Sequence, residues 1–145
     1  MGRALVAVAI VTASLGAALA AGAATRAGTT KLEAALRGAN ERPAAPASNR
    51  GRAELRLNTA TGRVCWEFSL TKIDGKPAQA HIHVGRRGVA GNVVVPLGAK
   101  FRRQGCTTAS KSLVRTIVRK PGAYYVNVHN AKHPAGAMRG QLVRD

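Results

Sequence analysis

The sequence predicts an all-β domain: a small antiparallel β-sandwich, immunoglobulin-like or of Greek-key type, with one short helix near residues 110–120. Three observations carry this. Apolar and polar residues alternate with period two along most of the chain. Turn clusters rich in Gly, Asn, Asp and Pro interrupt the alternation at short intervals. A single segment, Leu113, Val114, Ile117 and Val118, shifts to helical spacing.

The chain begins with Met1-Gly2-Arg3 and an apolar run from Ala4 to Leu19. Small-x-small sites follow at Ala18-Leu19-Ala20 and Ala21-Gly22-Ala23. This is the pattern of a secretory signal peptide over residues 1–23. Alanine is a weak membrane residue and the cleavage sites are good, so cleavage is favoured over an uncleaved anchor. No cysteine lies near the site and no Arg-Arg pair precedes it, which points away from a lipoprotein and from twin-arginine export. Residues 24–30 read as a linker. Residues 31–145 make one domain with its own core, and no membrane span remains after cleavage.

Within that domain, Leu32, Ala34 and Leu36 alternate with Lys31, Glu33, Ala35 and Arg37. Ala53, Leu55 and Leu57 form the inward series of the next strand. The turn Asn58-Thr59-Ala60-Thr61-Gly62 then leads into Val64, Trp66, Phe68 and Leu70, completing a hairpin. Asp74-Gly75-Lys76-Pro77 turns the chain into a strand whose inward series is Ala78, Ala80, Ile82 and Val84; Gln79, His81 and His83 face outward. The glycine-rich loop 85–92 precedes a short strand, Val93 to Leu97, whose Pro96 places it at an edge or a strand end. Ser110 or Ser112 caps the predicted helix and Pro121-Gly122 stops it. Two strands close the chain, Ala123 to Asn130 and Ala137 to Val143. In the first of these, Tyr124, Val126 and Val128 form one series, and Tyr125, Asn127 and His129 the other.

The two cysteines, Cys65 and Cys106, fit an oxidising compartment, where an isolated pair is most economically a disulfide. By strand phase Cys65 points away from the core, so the bond braces the outside of the sheet against a loop carrying Cys106. The 23 Lys and Arg against 6 Asp and Glu give a formal charge of +17, which favours polyanions. No aromatic ladder is interleaved with the basic residues, so dedicated nucleic-acid binding is unlike this pattern. An anionic envelope polymer or another exported protein is the expected partner.

Three of the four histidines lie in Ala80-His81-Ile82-His83 and Tyr124-Tyr125-Val126-Asn127-Val128-His129, and His133 lies in the next turn. These strings carry a resemblance. The chain resembles the chordin domain (CHRD) family through Ala80-His81-Ile82-His83-Val84-Gly85, Gly91-Asn92-Val93-Val94 and the Tyr124 to His129 run. His133-Pro134-Ala135-Gly136 and Arg139-Gly140-Gln141-Leu142 extend it, as do Asn40-Glu41-Arg42-Pro43 and Gly51-Arg52-Ala53 upstream. The resemblance covers about Leu32 to Val143 and implies a small exported β-sandwich module, of a family with no catalytic reaction assigned to it as a whole. Arg42, and Ala137-Met138, depart from the residues usual in the family.

The outward residues His81, His83, Tyr125, Asn127 and His129, with Arg139, form the expected binding surface. Two readings compete for the histidines. In one, they make a polar ladder that fixes strand register, donating to backbone carbonyls or to Asn127, Gln141 and tyrosine hydroxyls. In the other, His81, His83, His129 and His133 ligate a single copper or zinc ion. A weak likeness to copper/zinc superoxide dismutase, through His-x-His and Gly-Asn-Val, fails on count, since a dinuclear site needs six or more histidines and an aspartate. No serine lies in a nucleophile elbow and no acid pair in a glycine-rich cleft. The sequence therefore predicts a secreted or cell-envelope binding module without catalytic activity and without a cofactor, the alternative being an extracytoplasmic copper- or zinc-binding protein.

Overall fold

The computed structural model describes residue 2 and residues 28–145. The signal segment 1–23 and most of the linker lie outside the described residues. Among the described residues, nine strands and one α-helix follow in order: β1 (Thr29–Arg37), β2 (Arg50–Asn58), β3 (Arg63–Lys72), β4 (Pro77–Val84), β5 (Val93–Pro96), β6 (Gln104–Thr108), α1 (Lys111–Arg119), β7 (Tyr124–Asn130), β8 (Met138–Gln141) and β9 (Val143–Arg144). Thr29 and Thr30, assigned to the linker on composition, are the first residues of β1.

The domain is all-β and antiparallel, as the alternation predicted. Its strands form one continuous sheet in the order β5-β4-β7-β8-β1-β2-β3-β6, with β9 paired to β1. The two layers expected of a sandwich are two halves of this sheet, wrapped around one core. Leu32 and Leu36 of β1, Leu55 and Leu57 of β2 and Trp66 and Phe68 of β3 meet Ile82 of β4, Val126 and Val128 of β7 and Met138 of β8 there. The stretch between β5 and β6 nearly closes the ring. Phe101 N donates to Ala78 O of β4, and Phe68 N of β3 donates to Arg103 O.

Local chemistry explains the junctions. Asn58 Oδ1 accepts from the amides of Ala60 and Thr61, which sets the β2–β3 turn, and Gly62 completes it at φ 79°. Ser110 caps α1 by accepting from Leu113 N, and the helix buries Val114 and Ile117. Pro96 ends β5 at the sheet edge, as its missing amide requires. Ala78 and Val84, expected to face inward, are exposed where β4 runs out at either end.

Cys65 and Cys106 are joined. Cys106 stands on a strand and not on a loop: β6 pairs with β3 so that the two cysteines are direct cross-strand partners. The expected loop was wrong because Gln104-Gly-Cys-Thr-Thr has no apolar alternation. Its inward position is Gly105, which lies flat against the Trp66 ring, where a Cβ would collide with the indole.

Candidate functional site

Strands β4, β7 and β8 lie side by side, and their register builds two polar rows. His81 stands opposite Asn127, and Asn127 opposite Arg139; His83 stands opposite Tyr125, and Tyr125 opposite Gln141. His129 stands opposite Gln79, one step along the same face. The alternation of β7 thus places Tyr125, Asn127 and His129 together, while Tyr124, Val126 and Val128 enter the core.

The sequence implied that this face is open to solvent, and the structure corrects that. His83 is 7% exposed, Tyr125 3%, Asn127 2% and Arg139 4%, so these side chains form a covered floor and not a docking surface. Two loops cover it. The glycine-rich loop after β4 folds back so that Gly91 O lies 2.8 Å from His83 Nδ1, and Gly91 N donates to the Tyr125 hydroxyl at 3.2 Å. A side chain at Gly91 would overlap the Val84 carbonyl, so only glycine permits this approach. The loop after β1 supplies Asn40, whose carbonyl accepts from Arg139 Nε at 2.6 Å and whose amide donates to Arg139 O at 3.2 Å. Of the six residues expected to form the binding surface, only His81 and His129 remain partly open.

Three histidines meet at that opening. Their ring centroids stand 5.0 Å apart for His81 and His129, 5.7 Å for His81 and His83, and 5.9 Å for His83 and His129. One nitrogen from each lies within 4.8 Å of one from each of the others. His83 stacks on the Tyr125 ring at 4.9 Å, and Arg139 lies over the same ring at 4.7 Å. Burial pushes His81 down to about 4, helped by His129 and His83 beside it. His83 is also lowered, first by burial and then by His129 and Arg139, against the Gly91 carbonyl and Asn127, which favour its cation. Both rings are therefore neutral near pH 7.

His133 does not join them. Its Nε2 lies 3.3 Å from Asp74 Oδ2, and Lys132 Nζ contacts the other oxygen of Asp74 at 2.7 Å. Hydrogen bonds from Lys132 and His133 hold the Asp74 carboxyl below its ordinary range. The four-histidine set read from sequence is thus a three-histidine set, and the turn after β7 uses its histidine to fasten the β3–β4 turn.

Sequence reasoning missed Glu41 as a member of the floor. It is 2% exposed, and its carboxylate lies 3.4 Å from Arg139 Nε, the two joined as a buried ion pair. Burial pushes Glu41 up to about 7, although Arg139, Asn127 and the Arg42 amide all favour the charged form. Gly136 lies directly against this carboxylate, leaving no room for a Cβ. The only sequence signal was an acidic residue in a proline-containing loop, ninety-eight positions from its arginine partner by residue number.

Six buried polar atoms of this region have no hydrogen-bond partner: His81 Nδ1, His83 Nε2, His129 Nε2, Asn127 Oδ1, Glu41 Oε1 and Arg139 Nη2. Buried polar side chains are nearly always paired, so this concentration of unpaired groups sets the region apart from the rest of the domain.

A family model described as the CHRD domain matches residues 32–142. No curated protein and no solved structure matches the chain.

Proposed function

The chain belongs to the CHRD domain family, and from that premise we infer that it is an exported binding module without catalytic activity of its own, held at the cell envelope by an anionic polymer. The family and the domain's form support a binding or interaction role. A disulfide between adjacent strands supports an oxidising compartment. Among the described residues, no helix is long and apolar enough to cross a membrane.

One observation carries the choice of partner. On the outer face of the sheet, Arg37 stands opposite Arg50, and Arg50 opposite Lys72, making a row of three exposed cations; Lys31 stands opposite Arg56 toward the other end of the same strands, beyond the row Glu33, Glu54 and Glu67. Like charges directly opposed across strands destabilise a sheet. The acids do not relieve these rows. Glu33 and Glu54 bridge to Arg52, Asp74 to Lys132 and His133, and Glu41 is buried with Arg139; Glu67 stands opposite Glu54, and neither it nor Asp145 forms an ion pair with these cations. A chain of phosphates or carboxylates laid along the face supplies the missing counter-charge.

Retention of the purified protein on immobilised anionic wall polymer is expected at low ionic strength, falling steeply as salt shortens the screening length. The triple change Arg37→Ser, Arg50→Ser and Lys72→Ser is expected to shift elution to markedly lower salt. Absence of retention at low salt, or elution unchanged by the triple change, removes this reading.

A further inference from the structure

We propose that His81 Nδ1, His83 Nε2 and His129 Nε2 hold one borderline transition-metal ion, Zn²⁺ or Cu²⁺, at the open end of the covered floor. The site is separate from the basic outer face and stands on different observations.

The polar-ladder reading of these histidines accounts for one nitrogen of His83 and one of His129, each set against a backbone carbonyl, and leaves the remaining nitrogens without the expected side-chain partners. Gln141 Nε2 donates to the carbonyls of Gly85, Gly122 and Tyr124, and the Tyr125 hydroxyl turns to Gly91. Neither reaches an imidazole, and each of the three rings keeps one buried nitrogen without a partner. Three rings converging from two strands, each with an unpaired buried nitrogen, are what a cation with nitrogen ligands completes.

Two of the three rings are also oriented as metal ligands are. His83 Nδ1 lies 2.8 Å from Gly91 O, and His129 Nδ1 lies 2.9 Å from Pro134 O. A carbonyl only accepts, so both Nδ1 atoms carry a proton, and in a neutral ring so held Nε2 presents the lone pair. A metal-bound histidine is held in the same way, its second nitrogen donating to a carbonyl or carboxylate that fixes tautomer and ring plane.

Ligand chemistry selects the ion. The set is three imidazoles with no carboxylate among them, which suits zinc and copper and not the hard, oxygen-seeking Mg²⁺ or Ca²⁺. Zn–N bonds of about 2.0–2.1 Å at tetrahedral angles place nitrogens about 3.3–3.4 Å apart. One nitrogen of each ring lies within 4.8 Å of one of each of the others, and the ligand atoms close on the ion by rotation of the side chains, since the β4–β7 ladder fixes the backbone. Three protein ligands leave a fourth position free, on the side where His81 and His129 are partly exposed; such a position takes water or an exogenous ligand.

The test is titration of chelator-stripped protein with Zn²⁺ by calorimetry and with Cu²⁺ by electron paramagnetic resonance. One ion per chain is expected, with copper hyperfine structure from three nitrogens. His83→Ala and His129→Gln are expected to weaken binding by roughly 100-fold or more and to remove one nitrogen from the spectrum. His133→Ala, which leaves the three rings intact, is expected to bind as the wild type does. Should His83→Ala fail to fold, His81→Gln on the half-exposed side carries the same expectation. Stripped wild-type protein that takes up neither ion overturns the proposal, as does equal binding by the His81, His83 and His129 variants, or loss of binding in His133→Ala. None of these results bears on polymer retention, which is read by salt elution in the absence of metal.

Discussion

At the scale of single residues, the covered floor places two titrating groups of opposite sign within one network. His81 falls from an ordinary 6.5 to about 4 on folding, so it contributes stability fully above 6.5, and that contribution is lost as pH falls toward 4. Glu41 rises from 4.5 to about 7, so its contribution is complete below 4.5 and is lost as pH rises through 7. At about 1.4 kcal/mol per unit, each limb amounts to at most about 3.5 kcal/mol, and less for the partly exposed His81, whose charge solvent screens. Denaturant unfolding of metal-free protein across pH 4 to 8.5 reads both. His81→Gln is expected to flatten the acid limb. Glu41→Gln, which mimics the protonated acid, is expected to cost little at pH 5 and to flatten the alkaline limb. A variant that keeps the full wild-type profile removes the assignment for its residue. Neither group's behaviour was legible from its neighbours in sequence, because burial by distant loops dominates both shifts. His81 and His83 announced themselves by residue type and phase; Glu41 had no such signal, since its arginine partner comes from the far end of the chain.

At the scale of elements, legibility followed how local the determining physics was. The inward series of β1, β2 and β3 and the cap and stop of α1 are properties of a few neighbouring residues, and they stand where the alternation placed them. Two misreadings share one cause. The polar series of β7 looked solvent-facing because alternation distinguishes two faces without saying what covers either; here loops from β1 and β4 lie over the second face, so both faces of β7 are buried. The strand β6 escaped notice because a glycine fills its core position beneath Trp66. Since β6 offers no large apolar side chain of its own, its attachment rests on the β3 ladder and the disulfide. Removing both sulfurs with Cys65→Ala and Cys106→Ala frees a loop of 41 residues in the unfolded chain. The expected cost is about 4 kcal/mol in the chain-entropy account. Faster amide exchange confined to β6 and the facing half of β3 is expected beside it. A double variant of wild-type stability, with β6 amides equally protected, means that the ladder alone holds the edge.

At the scale of the whole molecule, the nearly closed sheet separates two kinds of chemistry onto the two sides of one layer. The core binds the sheet to itself. Over β4, β7 and β8 the outer side is roofed by loops and carries imidazoles, while over β1, β2 and β3 it is bare and carries rows of cations on either side of a row of three glutamates, Glu33, Glu54 and Glu67. A formal charge of +17 on a chain this short makes the compact state repel itself, because folding brings those cations closer than the unfolded chain does. Screening relieves that repulsion: the Debye length shortens from about 30 Å at 0.01 M salt to under 10 Å above 0.1 M. The melting temperature of the metal-free protein is therefore expected to climb by several degrees between about 10 mM and 300 mM NaCl, most of it below 100 mM. Soluble polyanion at low ionic strength is expected to raise it further than equal charge added as chloride, because a polymer spans a whole row where single ions occupy it weakly. The triple Ser variant of Arg37, Arg50 and Lys72 separates the contributions: it starts from a higher melting temperature at low salt and gains less from either additive. If that variant instead melts lower than wild type at 10 mM NaCl, the rows are held by packing of the aliphatic stems, and the outer face is not a stored repulsion awaiting a counter-charge.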